Sequence, residues 1–461
     1  MRKEVQGYLP DEQPPPLKLI AFALQQLLVM FPATVTVALL TGFHVSTTIF
    51  ASGLATLAFL VVTKGKIPLY YGSSFSYIAA IVGLTGASFG QVAPDALISR
   101  AQFGIIMSGF VSIAAGLIVS RFGMEKIEKV LPPTVTGSIA LVIGGSLFGV
   151  AITSAAGYDA GTGLASGAAW TAALVTLVAT IIFSVFLRGV WKQLPILLGI
   201  IVGYLVSLPL GLVDFTPVAQ TGLFVMPHFT LPIPSWAALL AIMPIAIATI
   251  PESTAHLFQL DLYVNRLAEE KKSDKKYPIA EKLGLNLIGD GLGDIIASLF
   301  GGPAGTNYGE NISTMAITKV FSTAVLRAAA IMAICVSFIG PVSAFINTVP
   351  SAVINGACIY LFGVIAVQGV ALMIEKKVDI FDERNVAVIA VILVIGIGGS
   401  FGFPGGMIPF LGMQLPAIAT AAIVGIVLNL VLNIGRERRR PDDRPHDSRT
   451  STGSTQASTT P

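Results

Sequence analysis

Charged side chains are scarce in this chain of 461 residues, because Asp, Glu, Lys and Arg together make up only 11% of it. Water-soluble domains usually carry about 25%, so the composition excludes an ordinary soluble protein. Cysteine is scarcer still, and its two residues, Cys335 and Cys358, lie in apolar stretches without metal-ligand spacing. This pattern excludes a disulfide framework and favours two small, buried hydrophobic side chains.

Several functional signatures are also missing. The sequence has no nucleophile–base set, no cluster with metal-ligand spacing and no phosphate-binding glycine loop. We therefore expect no enzyme activity, no bound metal, no cofactor and no nucleic-acid partner. The polar, proline-rich start "MRKEVQGYLPDEQPPPLK" lacks the short apolar run of a cleavable signal peptide.

Apolar residues dominate instead, at 54% of the chain, with a mean hydropathy of +0.80. They form repeated stretches of roughly 20 residues, the length that crosses the hydrocarbon core of a bilayer. The sequence therefore predicts an all-α, polytopic membrane protein with about 14 transmembrane segments. We place them at residues 18–40, 45–63, 68–87, 100–120, 131–152, 169–187, 193–213, 236–257, 284–300, 303–320, 322–345, 348–373, 385–402 and 414–434.

Lysine and arginine concentrate at alternate junctions between these segments, as at Lys64 and Lys66, whereas junctions such as "AGYDAGTGLASGAAW" are nearly free of them. By the positive-inside rule both termini are cytoplasmic, which requires an even number of spans in the cytoplasmic membrane. The polar tail 435–461 has no periodicity and is expected to be disordered. Its basic cluster at 436–440 would face phospholipid.

Two unusual segments are similar to each other. Aligning "YYGSSFSYIAAI" (70–81) with "NYGENISTMAI" (307–317) places Tyr71-Gly72 on Tyr308-Gly309, an offset of 237 residues between the two tyrosines. These are the third and tenth predicted segments, which lie seven spans apart, so the two halves of the chain would have opposite orientations. Such an inverted repeat is typical of secondary transporters.

Both segments are preceded by Pro and Gly, in "KIPLYYG" and "GGPAGTNYG", so we predict that segments 3 and 10 are discontinuous. Each would contain a short extended stretch and a half-helix that begins near the middle of the bilayer. Non-helical backbone persists there only where protein or a cavity satisfies it. Two helix starts with free N–H groups would form a polar pocket that suits the carbonyl oxygens of a small ligand.

Two carboxylates occur in this apolar context. Glu310 follows the predicted helix start at Gly309, and Glu252 has His256 four residues later on the same helix face. A charge at membrane depth is costly and usually faces a cavity or a partner. Other roles remain open: Glu310 could stabilise only its own helix dipole, Glu252 could pair with Lys319, and His256 could be a capping or interfacial residue.

Two further pairs of polar residues lie in the predicted spans. Asp290 and Asp294, spaced i, i+4 in "LIGDGLGDIIASLF", are predicted to be structural and to fix neighbouring spans by hydrogen bonds. Gln25 and Gln26 in the first span would either face the pocket or bond to another helix.

Two glutamates and backbone N–H donors together complement a ligand with alternating N–H and C=O groups. Uracil presents such an edge, with N–H groups for the glutamates and carbonyls for the amides. Carboxylates in a low-dielectric pocket can also bind and release a proton near neutral pH. We therefore expect a secondary active transporter for uracil, with the proton rather than sodium as coupling ion and Glu252, Glu310 and His256 as candidate coupling residues.

Three stretches, "KGKIPLYYGSSFSYI", "PESTAHL" and "LFGGPAGTNYGENISTMAITKVFS", resemble those of the nucleobase–ascorbate transporter family. Glu310, Asn311, Thr318 and Lys319 match the family signature, and the similarity extends to about Leu430. Within the family the chain looks most like the bacterial uracil permeases, because it has Glu310 and the Glu-x-x-x-His of the eighth span.

The resemblance implies seven plus seven inverted spans in two domains, with a homodimer formed through the gate domain. The core domain would comprise residues 18–128 (spans 1–4) and 236–345 (spans 8–11), and the gate domain residues 129–215 (spans 5–7) and 346–434 (spans 12–14). Residues 1–17 would form a cytoplasmic segment, and residues 435–461 the cytoplasmic tail.

The resemblance also implies a substrate site between spans 3, 8 and 10. Glu252 and Glu310 would bond the nucleobase ring, the amides of Phe75 and Gly309 would bond its carbonyls, and His256 would act directly or through water. The secondary pocket candidates are Gln26, Tyr71, Ser74, Asn311 and Ser313.

Three positions depart from the pattern of uracil permeases. Gln26 stands where relatives commonly carry histidine, Ser313 replaces the usual glycine, and Ser253 is closer to purine transporters. Uracil is thus the preferred substrate, with xanthine, uric acid or another nucleobase as the alternative. An anion exchanger of similar fold is a more distant alternative that two acidic side chains disfavour, and a channel or a membrane-embedded enzyme is more distant still.

Overall fold

The computed structural model describes residues 7–87, 90–123, 131–158, 162–189, 191, 194–410 and 413–434. Predictions for the first six residues, the tail 435–461 and the basic cluster at 436–440 lie outside these described residues. The first half contains helices α1 (Pro16–Thr41), α2 (Val45–Val62), α3 (Ile78–Thr85), α4 (Asp95–Phe122), α5 (Pro133–Ser146), α6 (Phe148–Ala155), α7 (Gly167–Phe186), α8 (Pro195–Ser207) and α9 (Thr216–Gln220).

The second half is also mainly helical, and several of its helices are shorter than a membrane span. It contains α10 (Trp236–Ile242), α11 (Ala246–Glu270), α12 (Leu283–Leu299), α13 (Gly309–Thr318), α14 (Thr323–Ser337), α15 (Gly340–Asn347), α16 (Ser351–Glu375), α17 (Glu383–Leu393), α18 (Gly399–Gly402) and α19 (Ala417–Asn433). Proline stands in the first turn of α1, α5 and α8. There its missing N–H costs no helical hydrogen bond.

Within the described residues, eight helical stretches of at least 18 residues are apolar enough to cross a membrane, and four shorter helices are also apolar. Large apolar side chains on their outer surfaces are exposed, as at Val185 and Phe186 of α7, which suits contact with lipid. This is a multi-pass membrane protein. Cys358 is buried as expected, but Cys335 is exposed on α14, where lipid can accept a small hydrophobic side chain. The total of 14 spans and their inverted arrangement stay predictions.

The third and tenth predicted segments are discontinuous, as the sequence predicted. Strand β1 (Tyr71–Ser73) is followed by a 3₁₀ turn at Phe75–Tyr77 and then α3, and strand β2 (Gly305–Asn307) is followed by α13. The two strands pair in antiparallel fashion. The amide of Tyr308 also donates to the carbonyl oxygen of Tyr70 at 3.0 Å. The extended stretches therefore satisfy much of each other's backbone inside the protein, as membrane depth requires.

Helices α1, α2, α4, α12 and α14 pack together as one group, and α1, α2 and α12 of this group contact the two strands. Small residues allow α4 and α12 to approach closely, since a Cβ atom added at Gly109 would lie 2.5 Å from the carbonyl oxygen of Gly291. Such contacts between small residues are a common basis for helix association in membranes. This group supplies the frame that positions β1, β2 and α13.

A second group contains α5, α6, α7, α8, α16, α17 and α19. Its helices are also packed through glycine, because a Cβ atom added at Gly144 of α5 would lie 2.6 Å from the carbonyl oxygen of Phe362 in α16. Helix α11 contacts α4 and α12 of the first group, and it also contacts α13. It contacts α5 of the second group as well. The assignment of the two groups to core and gate domains, with the boundaries given above, stays a prediction.

The eighth predicted segment is longer than expected. Its apolar stretch predicts an end at residue 257, but helix α11 continues to Glu270. Leu260, Val264 and Leu267 recur at helical spacing and are buried. The end of α11 therefore packs on the protein through an amphipathic face after the apolar stretch has ended.

The last predicted segment, 414–434, begins with a strand rather than a helix. Strand β3 (Met407–Phe410) pairs with β4 (Met413–Pro416) in antiparallel fashion, and α19 begins only at Ala417. Pro416 disfavours helical backbone at the residue before it, which accounts for the later start of the helix. Apolar composition alone did not distinguish this hairpin from the helix that follows.

Candidate substrate-binding site

The pairing of β1 with β2 brings the starts of two helices together. Gly72 lies opposite Thr306 in the antiparallel register, so the chain leaves the strands in opposite directions. A Cβ atom added at Gly72 would lie 2.5 Å from the ring of Tyr308, and this close approach requires glycine. The hydroxyl of Tyr308 donates to the carbonyl of Ser73 at 3.0 Å. These contacts fix the two helix starts relative to each other.

The two helix starts differ in how their amides are satisfied. At the first, the hydroxyl oxygen of Ser74 accepts from the amide of Ser76 at 3.3 Å. At the second, Tyr308 provides no side-chain cap to α13. The first amides of an α-helix have no partner within their own helix. The amide of Gly309 is therefore available as a donor among the described residues.

Glu252 of α11 reaches the first helix start, where the hydroxyl of Ser76 donates to its Oε2 at 3.2 Å. Glu310 lies in the first turn of α13, directly after Gly309, whose backbone contacts His256 one turn along α11 from Glu252. Among the described residues neither carboxylate forms a salt bridge. The alternative of an ion pair between Glu252 and Lys319 is wrong, because Lys319 pairs with Glu270.

Glu310 is also the acidic residue in the first turn of α13. A carboxylate in the first turn stabilises a helix by meeting the positive end of its dipole. Stabilising its own helix dipole is the other role that the sequence left open for Glu310. This role is compatible with ligand binding by the same side chain. One position can serve both purposes, since a carboxylate has two oxygens.

His256 lies one turn after Glu252 on α11 and packs against the start of α13. A Cβ atom added at Gly309 would lie 2.9 Å from Nε2 of His256, so the ring and the backbone are in close contact. The Nδ1 atom of His256 is buried and has no hydrogen-bond partner among the described residues. A buried polar atom without a partner needs an explanation, and a ligand or a water molecule at this site would supply one.

Gln26 and Asn311 bond to each other rather than to the carboxylates. The side-chain amide of Asn311 donates to Oε1 of Gln26 at 2.7 Å and to the backbone carbonyl of Gln26 at 3.0 Å. Both residues are buried, so these bonds attach α13 to α1 in the protein interior. The structure thus places Gln26 in a contact between helices.

Asp290 and Asp294 connect α12 to the strands and to α11. Oδ1 of Asp294 accepts from the hydroxyl of Tyr71 at 2.8 Å and from the amide of Gly305 at 2.7 Å. Asp290 accepts from the hydroxyl of Ser253. Tyr71, a secondary pocket candidate, is therefore directed at α12 and not at Glu252 or Glu310.

A cavity of about 580 Å³ lies between the two groups of helices. Ile78 and Ala79 of α3 line it on one side, and Phe362 of α16 lines it on the other. Phe75, at the first helix start, packs edge-on against Phe362 with 6.3 Å between ring centroids. The cavity thus begins within one turn of Ser76, although neither Glu252 nor Glu310 lines it. Its volume falls in the range of small-molecule sites.

Comparisons with known proteins identify the family of this chain. Residues 17–405 match the model of a permease family, the nucleobase–ascorbate transporters. The chain belongs to this family. It is 38% identical to the uracil permease of Bacillus subtilis (strain 168), over 94% of this chain and 97% of that relative. It is 35% identical to the putative pyrimidine permease RutG of Escherichia coli (strain K12), over 92% and 91%.

Solved structures similar to this permease share its fold at low sequence identity. The overall structure of SLC26A9 matches with a TM-score of 0.64 and 11% identity, over 92% of this chain and 66% of that chain. The transmembrane domain of the cyanobacterium bicarbonate transporter BicA matches with a TM-score of 0.50 and 13% identity, over 91% and 97%. Identities this low establish the fold alone, so the ligand of this permease must be inferred from its own site.

Sequence reasoning missed a buried polar cluster in this permease. Ser253 accepts from the side-chain amides of Asn286 at 2.7 Å and Asn307 at 3.2 Å, and Asn307 also donates to Oδ1 of Asn286 at 3.2 Å. Ser253 therefore bonds to α12 and β2, and the similarity of this position to purine transporters stays a prediction. Ser76 was missed as the partner of Glu252, although the offset of 237 residues places it on Ser313, a pocket candidate.

Ser313 itself occupies a different environment from Ser76. It is half-buried on α13 and makes no side-chain hydrogen bond among the described residues. The hydroxyl that replaces the family's usual glycine is therefore free to contact a ligand or water near the start of α13. The other candidates of the second helix start, Glu310 and Gly309, lie one turn before it.

Proposed function

We propose that this permease imports uracil across the cytoplasmic membrane together with a proton, by alternating access. The observation that carries the proposal is the meeting of Glu252 and Glu310 at two half-helices joined by paired strands. Relatives support the substrate, because proteins named uracil permeases from Bacillus subtilis and Bacillus caldolyticus are 38% and 39% identical over at least 90% of this chain.

The donors and acceptors of the site match one edge of uracil. Carboxylate oxygens of Glu252 and Glu310 would accept from ring N–H groups, and the amide of Gly309 would donate to a carbonyl oxygen. The amide of Phe75 would serve the other carbonyl, and Nδ1 of His256 would bond the ring directly or through water. Because the donors belong to backbone held by β1 and β2, they need little reordering to bind a flat ring.

Proton coupling follows from the pairing of two enclosed carboxylates. Glu252 and Glu310 lie on α11 and α13, which contact each other, and among the described residues no lysine or arginine forms an ion pair with either. Two like charges in a site of low dielectric are stable only when at least one carries a proton. A proton taken up with uracil on one side and released on the other would couple uptake to an inward proton gradient.

Alternating access would move one helix group against the other. The cavity between them opens beside the first helix start, with walls from α3 on one side and from α5, α6 and α16 on the other. The group that holds β1, β2 and α13 would act as the core domain and the second group as the gate domain. We also place both termini in the cytoplasm and expect a homodimer through the gate domain.

The substrate is tested by thermal-shift measurements on purified permease with a panel of nucleobases. Uracil is expected to raise the melting temperature at lower concentration than xanthine or uric acid, because ligand that binds only the folded state stabilises it in proportion to its affinity. Competition of labelled uracil uptake by excess xanthine provides the control. A larger shift with xanthine, together with strong competition, would assign the permease to purines.

Proton coupling is tested separately in proteoliposomes. An imposed inward proton gradient is expected to raise uracil uptake, and a protonophore should abolish that increase. Replacing sodium by potassium on both sides should leave uptake unchanged. Uptake that depends on sodium and ignores the protonophore would contradict proton coupling while leaving the uracil assignment intact.

A further inference from the structure

Three residues from distant parts of the chain meet just beyond the C-terminal end of α1. His44 precedes α2, Asp95 is the first residue of α4, and His228 lies in the extended segment before α10. Nε2 of His228 is 2.9 Å from Oδ2 of Asp95, and Nε2 of His44 is 3.8 Å from Oδ1 of Asp95. The three residues are far apart in the sequence and show no metal-ligand spacing there, and only the fold brings their side chains together.

We propose that His44, Asp95 and His228 bind a divalent transition-metal ion, for which Zn²⁺ is the best match. One ligand atom from each residue lies within 4.8 Å of the others. A tetrahedral zinc ion with ligands at about 2.0–2.2 Å separates them by roughly 3.3–3.5 Å. The two measured separations to the Asp95 oxygens lie on either side of this value. Small side-chain rotations would therefore complete the geometry.

The chemistry of the ligand set selects the ion. Two imidazoles and one carboxylate suit zinc and its neighbours in the first transition row, whereas Mg²⁺ and Ca²⁺ prefer oxygen ligands throughout. The two imidazole rings lie 4.4 Å apart between centroids, so two protonated rings would repel each other here. A single divalent ion between them and the carboxylate removes this repulsion.

A second observation points to a ligand at the same place. Nε2 of His44 is buried and has no hydrogen-bond partner among the described residues, because 3.8 Å to Asp95 is too long for a hydrogen bond. An ion between the two would satisfy it. The side chains of His228 and Asp95 are 51% and 58% exposed, so the ion has a path from solvent and room for water as its remaining ligand.

Hydrogen bonds hold the backbone that presents His228. The hydroxyl of Thr47 in α2 donates to the carbonyl oxygen of His228 at 2.7 Å. The amide of Ile233 in the same segment donates to the carbonyl oxygen of Ser99 in α4 at 2.9 Å. The segment is thus attached to both helices that carry the other two ligands. A bound ion would cross-link α2, α4 and the segment that leads to α10 and α11.

The proposal is tested with the full-length purified permease after removal of metal by a chelator. Titration with ZnCl₂, followed by calorimetry and by thermal shift, is expected to show saturable binding of one ion per chain and a higher melting temperature. His228→Ala and Asp95→Asn should each weaken binding by about tenfold or more. His228→Cys should restore most of the affinity, because a thiolate is also a zinc ligand.

His446→Ala, in the tail outside the described residues, is the matched control and should bind Zn²⁺ like the wild type. A cooperative melting transition, measured in each variant without ligand, shows that the variant is folded, and His228 is exposed enough for its replacement to be tolerated. Absence of saturable Zn²⁺ binding, or affinity unchanged in both His228→Ala and Asp95→Asn, would overturn the proposal. Neither result depends on which nucleobase is transported.

Discussion

Replacing either carboxylate of the candidate site by its amide is the sharpest test of the site. Glu252→Gln and Glu310→Gln keep the size of the side chain, and glutamine at position 252 retains an oxygen that can accept from Ser76, which lies at 3.2 Å from Glu252. The fold is therefore expected to survive. Each variant replaces a charged acceptor by a neutral group that also carries a donor, and this donor meets the N–H group of the nucleobase.

The magnitude follows from the hydrogen bond that is lost. A hydrogen bond to a charged group contributes about 1.5–3 kcal/mol, and about 1.4 kcal/mol corresponds to a factor of ten in affinity. Each variant is thus expected to weaken uracil binding by about 10-fold to about 100-fold. Because both side chains are proposed to bind the same small ring, the double variant should lose less than the product of the two single effects.

Equilibrium binding of labelled uracil to the purified permease measures these effects, and proteoliposome uptake shows whether transport follows. Glu269→Gln is the matched control, because Glu269 lies on the same helix as Glu252 but is exposed near the end of that helix. Affinities within about twofold of the wild type in both site variants would refute the reasoning. A comparable loss in Glu269→Gln would instead indicate a general loss of folded protein.

Two further predictions concern stability. Tyr71→Phe removes the hydroxyl that donates to Asp294 at 2.8 Å. It should lower the free energy of unfolding, measured by thermal melting, by roughly 1–3 kcal/mol. The hydroxyl of Tyr70 is buried without a partner among the described residues, so the control Tyr70→Phe should leave stability unchanged or raise it. Equal losses of stability in the two variants would contradict a stabilising bond from Tyr71 to Asp294. Asp11 forms an ion pair with Lys275, and the hydrogen bond from that lysine lowers the pKa of Asp11 below its ordinary value of 3.8. This small stabilisation is therefore present above about pH 4 and lost as the pH falls through the folded pKa. The difference in melting temperature between Asp11→Asn and the wild type should shrink at acid pH. A difference that stays constant with pH would contradict a stabilising ion pair at Asp11.

Local signals in the sequence were enough to predict the two discontinuous segments. Proline and glycine restrict the backbone within a few residues, so their positions before Tyr71 and Tyr308 indicate extended chain whatever packs around it. The placement of Glu310 beside a helix start depends on the same signal. The end of α11 and the β3–β4 hairpin were missed, because apolar composition measures burial in lipid and does not separate strand from helix.

Contacts between distant residues could not be predicted in the same way. The sequence left Gln26 with two open roles and offered Lys319 as a partner for Glu252. The structure pairs Gln26 with Asn311 and Lys319 with Glu270. Side-chain chemistry states which partners are acceptable, but several acceptable partners existed for each residue, and only the packing of helices selects one.

The sequence by itself determined that this chain crosses a membrane repeatedly and that two of its segments break midway. Both properties depend on transfer of short apolar stretches into lipid and on the backbone restrictions of individual residues. Only the tertiary structure decided that the two broken segments meet and that Glu252 faces them. It also decided that His228 lies against Asp95, 133 residues away along the chain. A hydrogen bond or an ion site requires atoms within a few ångströms, and the separation of such distant residues depends on how the whole chain packs.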